Sequence, residues 1–530
     1  MMKFQARVAF KAVFFAVVIG ASCSAQTGPV LRPTPIRLAK PQVRMSWQTF
    51  ISGPAGVKRL ASLNKAITKM KSLDSSPPTS VDFRRSWTFW ANIHGYYGPQ
   101  SMDGTVAQQI QYLQANGYSQ YVSYYQGISD QTPPDSVAAA VWATCQHSNG
   151  PGAQQANFFG WHRMYLYYFE RVLRWAAKDN TLRLPYWDYT NATQEQIPAE
   201  FRQLASVFYD DKRDPGMNQG TSKLNSNSTN INQKLTNSNY LTFEYDVETT
   251  IHGYVHCTVG PTCPVAHMGD VPVAANDPIF YEHHANIDRM WACWEHLYPT
   301  PTTGSWLTQQ FTFTDENGTS HTDPVSKFVD TTKLGYVYDN VSACSRGLRR
   351  PIGKSLALQQ RDFSPDEKFP TIIASSKPIP ITQAHTSVDL AVPAEKAAAM
   401  LTAPSGVPAN ELVLRNITAK SPPGALLDVY IARKDQPSRK QFVGTVNWFG
   451  AFRHHGTTGP DQRTLQFDIT DQLKALGITS NTTALTVTFE ASDGRVQAAA
   501  PKAGPLLVKP APTVRPESGL QIGAIELRHT

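Results

Sequence analysis

The residues that first read as chemistry in this 530-residue sequence are His252 and His256, in the segment IHGYVH. Four positions apart, they lie one turn from each other on the same helix face, so two imidazoles can close on one metal ion. Gly253, Tyr254 and Val255 stand between them, so the glutamate of an HExxH zinc protease is absent and that chemistry lacks its general base. A third ligand comes from DPIFYEHHANIDRMW, where His283 and His284 are adjacent. Asp288 follows one turn beyond His284, placed to orient a ring or a neighbouring arginine. Upstream, His94 sits in SWTFWANIHG, His147 in CQH and His162 in FFGWHRMYLYYFER. Three histidines on each side describe a binuclear site. Neutral imidazole suits copper, iron, nickel or zinc; a donor set without bridging carboxylates argues against di-iron carboxylate proteins, and copper fits best.

Ligands at such separations need rigid supports. The run from Phe158 to Lys178 contains no proline and carries aromatics on several faces, which predicts a long buried helix. A second helix starts at Pro278, with Asp277 as its cap, and continues through HHANIDRMWACWEHL. Trp47 to Leu73 has the spacing of one or two helices, while the Asn- and Ser-rich stretch from Met217 to Asn239 reads as a long exposed loop. Past Arg350 the pattern becomes alternating: LLDVYIAR, QFVGTVNWF, TLQFDI, ALTVTFEA and IGAIELRH predict strands of a β-sandwich, with Ala498 to Val514 as an extended connector.

With 41% hydrophobic and 17% charged residues the chain is that of a folded protein, too long for one core. Its net charge of +8 is scattered rather than gathered in a basic block, which argues against a nucleic-acid partner. Lys3 and Arg7 precede an apolar run from Val8 to Ala21 and the segment Cys23-Ser24-Ala25, the pattern of an export leader cleaved after Ala25. Gly20 does not suit lipid attachment at Cys23, and no segment has the length of a membrane span. The expected organisation is a signal peptide over 1–25, a mainly helical catalytic domain over 26–350, a linker over 351–385 and an all-β domain over 386–530. The protein is expected to be secreted or periplasmic. Of the cysteines beyond the leader, Cys257 and Cys263 are close enough in sequence to form a local disulfide.

The blocks ANIHG, CQH, WHRMYLYYFER, LPYWDYT, ETTIHGYVH, MGD, DPIFYEHHANIDRMW and LGYVYD, taken in order over residues 44–340, resemble the type 3 copper proteins: tyrosinases, catechol oxidases (polyphenol oxidases) and molluscan haemocyanins. The resemblance implies a four-helix bundle around a binuclear copper site, with His94, His147 and His162 on the first copper and His252, His256 and His284 on the second. His283 is then a supporting residue behind the ligands, as is Asp288. The interval between His147 and His162 is longer than the family's usual one. Cys145 matches the cysteine that fungal-type tyrosinases join to the following histidine, here His147, by a thioether. Glu248 matches a glutamate that orders a water and helps deprotonate phenols. Gly253 stands where strong monophenol hydroxylases often carry Asn, which implies a preference for o-diphenols, and Val271 replaces a bulky gate residue, which implies a wider entrance. Tyr336 and Tyr338 match the tyrosine motif that closes the catalytic domain, with Arg44 stacked on it. The strands VGTVNWFG and IGAIELRH resemble the β-domain of plant-type polyphenol oxidases, which implies a latent precursor with a covered site. The implied reaction is oxidation of catechols to o-quinones by dioxygen, with weaker monophenol hydroxylation. A haemocyanin-like dioxygen carrier uses the same ligands, and a catechol assay separates the two.

Overall fold

The computed structural model describes residues 41–77, 79–95, 106–115, 117–119, 122, 157–264, 266–341, 371–401, 409–451, 463–498 and 511–529. The expected leader, Cys145, His147 and most of the expected linker lie outside the described residues. Among the described residues, no helix is long and apolar enough to cross a membrane.

Two long helices carry the helical region. Phe158–Ala177 ends where Lys178 turns left-handed at φ 55° and its N–H bonds back to Trp175 O. Ile279–Leu297 starts after Pro278, and Asp277 accepts from the Ile279 N–H at 3.0 Å, the capping contact the sequence suggests. The helices meet through the stacked rings of Phe169 and Tyr281, 3.8 Å apart, and Trp87 of the Trp87–Gly95 helix packs edge-on against both. The Trp47–Leu73 stretch forms two helices, Trp47–Ile51 and Gly53–Lys71, which break where Gly53 adopts φ +65°.

A buried charge cluster joins these helices. Arg44 is fully buried; it donates to Glu170 at 2.9 Å and Asp288 at 3.2 Å and lies 3.8 Å over the Tyr336 ring. Asp288 also accepts from Arg163, Tyr336 and Tyr338, so one carboxylate serves four donors. The strand of Arg44, Gln42–Arg44, pairs in parallel with Tyr336–Tyr338 and fastens the start of the helical region to its end. Burial alone pushes the Asp288 carboxyl up, but the charges of Arg163 and Arg44 outweigh it and hold the group below the usual carboxylate range.

Two expectations need correction. Met217 to Asn239 is not one exposed loop: it contains the short strand Ser222–Leu224 and the helical turn Asn232–Leu235, and Met217, Leu224, Ile231 and Leu235 are buried. Asn and Ser dominate its composition, but the few apolar residues that fall inward decide its structure. The stretch 351–385 is likewise not a linker to its end. Thr371–Ser375 and Ile379–Pro380 both pair antiparallel with the last strand, Gln521–His529. Pro380 stands at the margin of that sheet, where a missing N–H costs little.

The C-terminal region is β-rich. One antiparallel sheet runs in the order Gln441–Val446, Leu426–Arg433, Ala484–Ser492, His385–Ala391. The other runs Arg463–Asp468, Asn410–Thr418, Gln521–His529, Thr371–Ser375. Their alternating residues, among them Leu412, Leu414, Val429, Ile431 and Val487, join the same continuous core as the helices. Arg495–Gln497, just past the first sheet, pairs with Ser222–Leu224 of the helical region.

Candidate binuclear metal centre

Each described histidine of the proposed set is delivered by a different turn of the helical region. His94 ends the Trp87–Gly95 helix, His162 lies in the first turns of Phe158–Ala177 and His284 in those of Ile279–Leu297. His252 and His256 do not share one regular helix: Val247–His252 is a π turn, and the α-helix Gly253–Val259 follows it. The change of register still leaves the two rings 4.6 Å apart.

The side chains converge in two adjoining groups. His94, His162 and His284 form one, and His252, His256, His283 and His284 the other, with the donor atoms of each within 4.8 Å of one another. His284 belongs to both; its ring stacks on His162 at 4.4 Å, and its Nε2 lies 3.4 Å from that of His256. Four rings are tethered through Nδ1 to backbone carbonyls: His94 to Val271 O at 3.1 Å, His162 to Phe158 O at 2.7 Å, His252 to Glu248 O at 3.3 Å and His256 to Met268 O at 2.7 Å. A ring that donates from Nδ1 keeps the Nε2 lone pair for a metal. Burial and the neighbouring imidazoles hold His256, His283 and His284 well below the usual imidazole pKa, so they stay neutral.

His283, expected behind the ligands, has a donor atom in the group of His252, His256 and His284; its Nδ1 is 2.9 Å from Tyr189 Oη, and its ring lies parallel to His252 at 5.5 Å. Asp288 points away from the donor groups into the Arg44 and Arg163 cluster. Glu248 is buried at the start of the π turn, and Gly253 follows His252 directly. Val271 is buried, and its carbonyl tethers His94. Cys257 and Cys263 are joined in a disulfide immediately after His256.

Sequence reasoning missed the aromatic walls. Phe158 touches His162 and His252, both at 4.7 Å, and Phe280 lies 4.2 Å from His284 and 4.7 Å from His94. Phe449, from the C-terminal region, stacks flat on His256 at 3.9 Å and meets His252 edge-on at 5.3 Å. The helical phenylalanines flank the ligand motifs and were open to inspection; Phe449 lies almost two hundred residues from His256 and carries no local signal.

A helical core that gathers imidazoles into two adjoining donor groups supplies what two metal ions would need. The model of the common central domain of tyrosinase matches residues 84–214 and 198–297, and that of the polyphenol oxidase middle domain matches residues 301–351. A tyrosinase from Hahella sp. (strain CCB-MM4) is 28% identical over 433 residues, covering 73% of this chain and 82% of that one. Catechol oxidase B from Solanum tuberosum, a chloroplastic protein, is 31% identical over 238 residues, but the match spans only 40% of its length. Among solved structures, latent apple tyrosinase matches with a TM-score of 0.55 at 21% identity, over 92% of this chain and 98% of that one. A latent aurone synthase matches with a TM-score of 0.56 at 20% identity, over 93% and 89%. The chain belongs to the tyrosinase and polyphenol oxidase family of type 3 copper proteins, and is an oxidoreductase.

Proposed function

We propose that this protein oxidises o-diphenols to o-quinones with dioxygen, using two copper ions, the first held by His94, His147 and His162 and the second by His252, His256 and His284. The observation that carries the reading is the set of Nδ1 tethers on four rings whose donor atoms belong to two adjoining, buried groups. The copper pair supplies the two-electron exchange between dioxygen and the bound phenol. The chain's own residues do the rest. The tethers fix ring tautomer and direction, while Phe158 and Phe280 keep water from the faces of the rings. Glu248 takes the phenol proton in this reading. Gly253 offers no side chain to help hold a water for that step, so diphenol oxidation exceeds monophenol hydroxylation, and Val271 leaves room for bulky phenols. His147 and Cys145 enter the proposal from the family motif, with a thioether between them.

The intact chain is latent in this reading. Phe449 covers the second donor group, and it sits on a turn anchored to the helical region by Asn447. Residues 1–25 are proposed as an export leader, so the mature chain begins at Gln26. The test is copper content together with oxygen uptake on a catechol and on a monophenol, before and after limited proteolysis. Quinone formation that rises on proteolysis, with little monophenol turnover, is the expected result. Oxygen binding without quinone after proteolysis would make the protein a carrier, and zinc in place of copper would remove the reading altogether.

A further inference from the structure

Gly253 has a second reason to lack a side chain. A Cβ built there would come within 2.8 Å of Cγ and 3.0 Å of Nδ2 of Asn447, and closer still to Oδ1. The end of an asparagine can ordinarily swing away, but this one is pinned. Asn447 is 1% exposed; its Nδ2 donates to Thr249 O at 2.7 Å and Thr250 O at 3.3 Å, and its Oδ1 accepts from the Phe449 N–H at 3.3 Å. Arg463 holds the same turn from behind, donating to Asn447 O and Phe449 O, both at 2.9 Å.

The carbonyls that Asn447 reaches belong to the π turn. There the Gly253 N–H bonds back five residues to Glu248 O, whereas an α register would take it to Thr249 O. Thr249 O therefore does not receive the Gly253 N–H that an α register would give it. Asn447 supplies the donor from another part of the chain.

We propose that Asn447 and Gly253 form a latch: the asparagine locks the C-terminal region onto the π turn that carries His252, and position 253 must be glycine for the lock to seat. The proposal rests on the reading that the C-terminal region seals the site, and it adds which contact does the sealing. It also ties two properties to one position, because any side chain at 253 that would alter the phenol pocket must first displace Asn447.

The test uses the intact, copper-loaded chain and a double-mutant cycle of Gly253→Ala, Asn447→Gly and the pair. The readouts are amide hydrogen exchange over 445–449 and 250–254, and catechol turnover without proteolysis. Gly253→Ala and Asn447→Gly should each speed exchange over 445–449 by about tenfold or more and raise turnover. The double variant should be no faster than Asn447→Gly alone, because the clash is gone. Unchanged exchange in Gly253→Ala, or additive effects in the pair, would overturn the latch. Should Gly253→Ala fail to fold, Asn447→Gly decides alone: exchange equal to the parent's ends the proposal. If the parent chain is fully active before proteolysis, the sealing reading fails, yet the exchange cycle still reports whether Asn447 and Gly253 are coupled.

Discussion

Replacing Asp288 with asparagine keeps the size of the side chain and removes its charge at the point where four donors meet. Asp288 Oδ1 takes Arg163 Nε, and Oδ2 takes Arg44 Nη1 at 3.2 Å, Tyr336 Oη at 2.7 Å and Tyr338 Oη at 2.6 Å. Removing one partner of a buried ion pair costs about 3–5 kcal/mol, chiefly through the charge left behind. Arg44 retains Glu170 at 2.9 Å and Arg163 retains Glu295 at 3.5 Å, so the loss belongs at the lower end, about 3 kcal/mol. Tyr338→Phe removes the hydrogen bond to Asp288 and the longer one accepted from Arg44 Nη1 at 3.3 Å, and should cost about 2 kcal/mol. The assay is urea unfolding of both variants beside the parent at pH 7, compared at a common m-value. The pH dependence has a fixed sign. A carboxyl held below its usual range contributes stability above its unfolded pKa of about 3.9 and loses it as pH falls through the folded value. The gap between parent and Asp288→Asn should therefore close on acidification. A cost under about 1 kcal/mol, or a Tyr338→Phe cost equal to that of Asp288→Asn, would refute the view that this charge holds the two long helices together.

Phe449→Ala should raise catechol turnover of the intact chain severalfold, measured by oxygen uptake without protease; turnover equal to the parent's would mean that the ring on His256 is not the barrier. Burial, reinforced by Glu411 and Asp468 and opposed by Lys234, pushes the Asp246 carboxyl up to about 7. A raised carboxyl costs nothing below its unfolded pKa and its full penalty above the folded one, so the C-terminal region should be cut by protease more readily at pH 8 than at pH 5.5. Asp246→Asn should flatten that difference. Peptide mapping of the mature protein should give a crosslinked peptide spanning residues 145 and 147, and an alkylatable Cys145 would contradict the thioether.

The parts of the site that the sequence made legible are those written in local spacing. His252 and His256 are paired by helical periodicity, and His162 and His284 sit in dense aromatic helices whose burial follows from composition. The strands beyond Arg350 were equally plain, because period-two alternation needs no partner to be seen. Long-range choices were not legible. The acceptors that aim the rings, Met268 O and Val271 O among them, are backbone atoms of any residue type and leave no mark in side-chain pattern. The stack of Arg44 on the tyrosine motif was expected, and so was an arginine beside Asp288, but not that Arg44 joins the two, since Arg44 and Asp288 are 244 residues apart. The π turn hid for a different reason: α and π registers place the same residue types in the same order, and the choice between them depends on what packs outside.

The pairing of Ser222–Leu224 with Arg495–Gln497 would have a consequence for a chain processed as proposed. Withdrawal of the C-terminal region takes one strand of a two-stranded ribbon with it, and the other keeps its row of amides and carbonyls with nothing opposite. Such an edge invites a stranger of the same kind. Maturation would thus turn a self-contained chain into one with an adhesive margin, and aggregation or pairing of the trimmed protein would be the toll of opening its active site.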